Sequence, residues 1–170
     1  MYRTLERMSQ MLTTFHKVLD KGEAHAKEHG LDPNTLLEGR LYEDMFPLTR
    51  QIQACTDTLK FAAGRLSGKT EGIPKFEDDE VTFEDLHARL DKAIDYLATF
   101  SAEDFEGAEE RHITLPFAKD KYALGADYLH GFVVPNFYFH VTTAYAILRH
   151  KGVPVGKFDY IGGVTLHDKE

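Results

Sequence analysis

Asn136 and His140 stand four residues apart in "VVPNFYFHVTTAYAILRH", a stretch over 133–150 that is apolar on almost every side. Four residues is about one helical turn, so the carboxamide and the imidazole share a face. A buried imidazole needs partners for both ring nitrogens. A metal ion is one such partner; a carboxylate or a backbone carbonyl is another. His140, with a near-neutral pKa, is also the candidate catalytic residue, as a metal ligand or general base. Two more groups can meet the pair if the helix ends coincide. His25 lies near the end of the first helical segment and Asp44 at the start of the second. Should the fourth segment begin at that same end, His25, Asp44, Asn136 and His140 converge. Two imidazoles, one carboxylate and one carboxamide form a mixed nitrogen and oxygen site without thiolate, suited to Mn, Fe or Ni at least as well as to Zn. The competing expectation is structural: His140 hydrogen-bonds to Asp44, and Asn136 ties off a backbone group at the helix start. Tyr42 and Tyr138 can donate hydrogen bonds to such a site, although aromatic packing is the ordinary role of each.

Four amphipathic segments must position these groups. Over 2–29, Leu5, Met8, Leu12, Phe15, Leu19, Gly22 and Ala26 alternate by three and four, an apolar seam on one helix face. "GLDPNT" then reads as a turn. Over 44–66, Leu48, Ile52, Cys55, Leu59, Ala62 and Leu66 repeat the alternation, with Asp44 as the expected cap and Pro47 in the first turn. Cys55 falls on this seam and reads as a small core residue, not a nucleophile. Thr82 and Asp85 resemble a capping box for a third helix over 83–100, with Phe83, Leu86, Leu90, Ala93, Leu97 and Phe100 inward. The pattern breaks over 109–126, where two short β-prone pieces flank "KD" and predict a hairpin. A short helical turn is expected over 127–133. Pro135 then suits the first position of a fourth helix over 136–150, with Phe137, Val141, Ala144 and Leu148 as its seam. That helix is apolar on most faces and is expected to be the most buried. The glycine-rich "KGVPVGKFDYIGG" reads as an ordered loop. The whole, residues 1–170, is expected to be one domain: an all-α four-helix bundle with a possible short hairpin between its third and fourth helices.

Other groups carry less. His25 and His29 lie four apart near a helix C-terminus, where the helix dipole favours a surface cation. His16, His87, His112, His130, His150 and His167 read as isolated. "EDDE" at 77–80 lacks the spaced ligands and glycine of a calcium loop and reads as a solvated acidic linker. The chain has no GxSxG elbow, glycine-rich phosphate loop or HExxH. A single cysteine excludes an internal disulfide and a multi-cysteine metal knuckle. A formal charge of −8 lacks the basic footprint of a nucleic-acid binder. The opening residues, "MYRTLERMSQML", lack a signal peptide's apolar core, and no run approaches the roughly 20 residues of a membrane helix. These features predict a cytoplasmic protein with no membrane or nucleic-acid partner.

"LLEGRLYEDMFPLTRQIQ", "PNFYFHVTTAYAILRHKGV" and "GKFDYIGG" together resemble an uncharacterised domain-of-unknown-function branch of the DinB/YfiT-like superfamily. The resemblance implies a four-helix bundle and a homodimer. It also implies a divalent metal held by three histidines, one from the second helix and an HxxxH pair from the fourth. Some such proteins are thiol-dependent transferases or isomerases. This chain departs from that triad. Its HxxxH position reads Asn136 and His140, and its second helix has no histidine, Asp44 being the nearest stand-in. Two functions remain open: a small-molecule enzyme built on the polar cluster, or a non-catalytic dimeric scaffold or small-ligand binder.

Overall fold

Alternation by three and four builds the long helices of the computed structural model, which describes residues 1–118, 120–164 and 166. Helix α1 (Tyr2–Glu28) buries every seam residue expected of it, together with Val18. Helix α2 (Asn34–Leu37) is a single turn that seats Leu36 and Leu37 in the core. Helix α3 (Leu48–Ser67) and helix α4 (Phe83–Ala98) bury their expected seams, and Phe100 is buried just beyond α4. The Thr82–Asp85 capping box is formed: Asp85 N–H donates to the Thr82 hydroxyl, and Thr82 N–H donates back to the Asp85 carboxylate at 2.9 Å.

The hairpin is present as β1 (His112–Thr114) and β2 (Tyr122–Leu124), antiparallel, with Ile113 opposite Ala123. Its expected turn includes Lys119, which lies outside the described residues, as does His167. Helix α5 (Gly125–Tyr128), a π turn (Leu129–Val133) and helix α6 (Val134–His150) follow without a break. Pro135 therefore does not open the fourth helix; it sits in the first turn of α6, inside a longer helical run. A proline ring there clashes with the preceding turn and has no N–H to donate, and the wider π turn before it accommodates both facts.

Asp44 does not cap α3. Pro47 has extended backbone (φ −68°, ψ 168°), which makes Leu48 the first helical residue, and Leu48 N–H donates to the Gly39 carbonyl at 3.0 Å. Asp44 lies in the exposed turn before it. The glycine-rich tail is also more than a loop. It forms helix α7 (Lys157–Ile161), held on α1 by the ion pair between Lys21 and Asp159 at 2.7 Å, with Gly156 N–H donating to the Asp159 carboxylate at the helix start. Among the described residues no helix is long and apolar enough to cross a membrane.

Cross-helix pairs set the directions. Gln51 meets His140, Thr58 meets Asn136 and Arg65 meets Tyr128, so α3 and α6 are antiparallel. His16 meets Asp91 and Asp20 meets His87, so α1 and α4 are antiparallel. Thr56 meets Arg89 and Gly64 faces Tyr96, so α3 and α4 run in parallel. Gly22 faces Leu148, and His25 faces Gly152 beyond the end of α6, so α1 and α6 are parallel. The bundle runs up, down, down, up.

The most buried helix is α3, not the fourth as its apolarity predicts: 13 of its 20 residues are buried against 7 of 17 in α6. The difference comes from polar residues taken inside. Arg89 of α4 is completely buried and donates to Asp57 at 2.8 Å, Glu80 at 2.9 Å, the Thr56 hydroxyl at 2.9 Å and the Glu77 carbonyl at 2.9 Å. Asp78 binds both Arg89 and Arg50. The "EDDE" stretch is exposed at Glu77, Asp78 and Asp79, as a solvated linker is, but it also anchors on α4. The Asp78 and Glu80 carboxylates, with Asp57 of α3, form a strap that neutralises a guanidinium that could not otherwise be buried, and Glu77 adds only its main-chain carbonyl.

Candidate functional site on the α3–α6 seam

His140 occupies the second turn of α6, with only 9% of its surface exposed. Its Nδ1 lies 2.7 Å from Gln51 Oε1. The tautomer follows from the next bond along. The Gln51 amide N–H donates to the Phe46 carbonyl at 3.0 Å, and that carbonyl can only accept. Gln51 Oε1 therefore faces the ring, and His140 must carry its hydrogen on Nδ1. Its other nitrogen, Nε2, has no protein partner among the described residues. Burial, and then the nearby Arg50 charge, lower the His140 pKa, so the ring is neutral near pH 7. Phe46 lies nearly parallel to it, with centroids 6.3 Å apart, and Phe139 meets it edge-on at 5.2 Å.

One turn earlier, the Asn136 amide donates to the Thr58 hydroxyl at 2.7 Å, and that hydroxyl donates to the Ala54 carbonyl at 2.7 Å. Asn136 and Thr58 line a cleft of about 270 Å³ between α3, the π turn and the loop after β1. Phe117, Tyr128 and Phe132 supply its aromatic wall, and Asp57 and Arg65 its charged edge. Few polar groups against an aromatic wall is the usual make-up of a small-molecule pocket.

The four groups expected to converge do so only in part. Asn136 and His140 share one face, as their spacing requires, but His25 and Asp44 do not join them. Among the described residues no three His, Cys, Asp or Glu side chains are grouped to hold a metal ion. Asp44 stays in the exposed turn before α3, and for His25 the reason is helix direction. Because α6 runs parallel to α1, its start lies at the opposite end of the bundle from His25. His25 instead packs on His29, with ring centroids 4.1 Å apart. Tyr42 is 68% exposed, and Tyr138 lines a separate groove with Arg7, Met11 and Gly162. The partners of the polar pair are Gln51 and Thr58. They are a carboxamide and a hydroxyl, both neutral, and they occupy the His140 Nδ1 and the Asn136 amide. That donor set does not fit a resident divalent ion, which needs anionic or several imidazole ligands to replace its hydration.

A second polar cluster escaped the sequence reading. His16 and His87, expected to be isolated, meet across the α1–α4 seam with their Nδ1 atoms 2.6 Å apart. The signal was present as two matching His-x-x-x-Asp spacings, His16 with Asp20 and His87 with Asp91. It becomes a cluster only when α1 and α4 are laid antiparallel.

The family model for DUF1993, a domain of unknown function, matches residues 1–161. The crystal structure of a DinB family member protein from Shewanella denitrificans superposes with a TM-score of 0.94 at 40% sequence identity, over 97% of this chain and 93% of that one. No curated protein is significantly similar.

Proposed function

Because the chain belongs to the DUF1993 family and shares the bundle of a DinB family member, we propose that it binds a small organic molecule on the α3–α6 face. His140 is its hydrogen-bond acceptor and, where the molecule is turned over, its general base. One observation carries this reading: a neutral imidazole fixed on Gln51 through Nδ1, with the Nε2 lone pair left without a protein partner. Such a nitrogen accepts an O–H or N–H, or removes that proton. Asn136, one turn before His140, lines the aromatic cleft that takes the body of the molecule and is its polar handle there. No step in this reading requires a metal at His140. Homodimerisation, which the family resemblance implies, and cytoplasmic residence belong to the same proposal; a monomeric mass by light scattering would remove the first.

The test is a thermal-shift screen of small hydroxyl- and amine-bearing compounds against wild type and His140→Ala. A compound that raises Tm in wild type and not in the variant supports the reading. Hits that shift both proteins equally place the site elsewhere. A second reading, a non-catalytic scaffold, has its own support in the bonds that tie Asn136 to Thr58 and His140 to Gln51. It predicts no selective hit, with His140→Ala only losing about 1–3 kcal/mol of stability from the orphaned Gln51 acceptor.

A further inference from the structure

One stripe of α3 lines the aromatic cleft. Ala54, Thr58, Phe61 and Arg65 follow one another by four, three and four, the spacing of a single helix face. Thr58 and Arg65 are therefore roughly 10 Å apart along the helix axis, and the two ends of the stripe differ in hydrogen-bonding character. At the near end, the Thr58 hydroxyl donates its hydrogen to the Ala54 carbonyl, so towards Asn136 it can only accept. Asn136 therefore turns its NH2 to Thr58. Its Oδ1, without a partner among the described residues, is an acceptor. At the far end, Arg65 Nη1 donates to the Tyr128 hydroxyl at 3.0 Å, and among the described residues no carboxylate pairs with this guanidinium. It is held 4.8 Å from the centroid of the Phe61 ring and 5.9 Å from that of Tyr128.

Tyr128 is only 2% exposed, and its hydroxyl accepts from Arg65 while its own hydrogen has no acceptor among the described residues. Burial raises the Tyr128 pKa above its ordinary value of 10, with Arg65 acting more weakly in the other direction, so that hydrogen is in place at neutral pH. The far end thus offers the remaining guanidinium N–H groups and one buried O–H, together with a positive charge. Asp57 does not cancel that charge: it lies two turns before Arg65 and is bound to Lys60 and Arg89 at 2.8 Å each. Donors and a cation call for an anion, and the planar fork of arginine matches a carboxylate. We infer that the molecule bound on this face is an aryl carboxylic acid. Its carboxylate accepts from Arg65 and Tyr128, its ring lies along Phe61, and a hydroxyl or amine at its other end donates to Asn136 Oδ1, one turn before His140. The cleft of about 270 Å³ suits one ring with a short arm. This inference rests on the reading of the α3–α6 face as a small-molecule site and adds the chemical class of the molecule.

The experiment measures, by calorimetric titration of the full chain, the affinities of para-hydroxyphenylacetate and of tyrosol, which has the same ring and hydroxyl but an alcohol in place of the carboxylate. Wild type is expected to prefer the acid by about 10–100-fold, the worth of hydrogen bonds to a charged group. Arg65→Gln should bring the two compounds close to parity. His140→Ala should weaken both together and leave their ratio unchanged, so the ratio reports on Arg65 and the joint loss on His140. Equal affinities in wild type overturn the inference, and if tyrosol binding is then lost in His140→Ala the small-molecule reading survives without it. A preference for the acid that persists in Arg65→Gln also overturns it, leaving that guanidinium a purely structural partner of Tyr128. Binding of neither compound at millimolar concentration overturns it as well. If Arg65→Gln fails to fold, Tyr128→Phe keeps the ring and removes only the hydroxyl. That variant should reduce the ratio about 3–10-fold, and an unchanged ratio there counts against the carboxylate site.

Discussion

Cys55 is the one thiol in the chain, and it lies wholly inside the α3 seam. Burial pushes its pKa up to about 12, so almost no thiolate exists at neutral pH. The native protein should therefore leave a disulfide reagent such as DTNB unreacted for hours, and the urea-unfolded chain should react within minutes. Rapid reaction of the native protein would mean that the seam opens readily around α3. His140 shows the complementary case. It and Asn136 are legible in the sequence because polar groups in an otherwise apolar helix stand out. Their partners are not. Gln51 adjoins Ile52 at the edge of a seam, where a polar side chain is ordinary, and Thr58 looks like any surface threonine. What distinguishes Gln51 is the 2.7 Å contact with His140, and only the packed structure supplies it.

At the scale of elements, the seams were readable and their directions were not. Periodicity identifies which face of α1, α3, α4 and α6 is buried, and each expected seam residue is buried in the structure. Periodicity carries no sign, however, so nothing in the sequence says that α6 runs parallel to α1. That one missing bit separated His25 from His140. The anchoring role of the acidic strap has no signal in the sequence for a related reason: its partner, Arg89, lies on α4, and no spacing marks a charged residue there as buried. Arg89→Met should cost about 3–5 kcal/mol, because it leaves Glu80, Asp57 and Asp78 without their buried counter-charge. Urea denaturation monitored by circular dichroism measures this. A loss below about 1 kcal/mol would show the strap to be no more than a solvated ion-pair cluster.

The whole molecule should answer to pH in two stages. The His140 pKa is held below its ordinary value of 6.5, by burial first and by Arg50 second. The unfolded chain therefore takes up that proton before the folded one. This contribution to stability is complete above about 6.5 and is lost as pH falls towards the folded value. His16 is shifted the same way and adds to it. Asp78 answers at lower pH. Burial would raise its pKa, but the bonds and charges of Arg50 and Arg89 outweigh burial and hold it below 3.8. Its contribution is present above about 3.8 and is lost as pH falls through the lower folded value. Tm should therefore climb from pH 5 to 7 and level off above, and His140→Ala should flatten part of that climb. A wild-type profile without slope between pH 5 and 7 would contradict a neutral, buried His140.

The up, down, down, up order also has a consequence in time. The first long helix finds its antiparallel neighbour 71 residues later, where His16 meets His87, and receives α7 only at Asp159, 138 residues after Lys21. At a synthesis rate of roughly 5–20 residues per second, α4 follows α1 by about 4–14 s. Throughout that interval a nascent chain has only α3 to set against Leu5, Met8, Leu12 and Phe15, and the edge that α4 will cover stays open to whatever chaperone or neighbouring chain reaches it first.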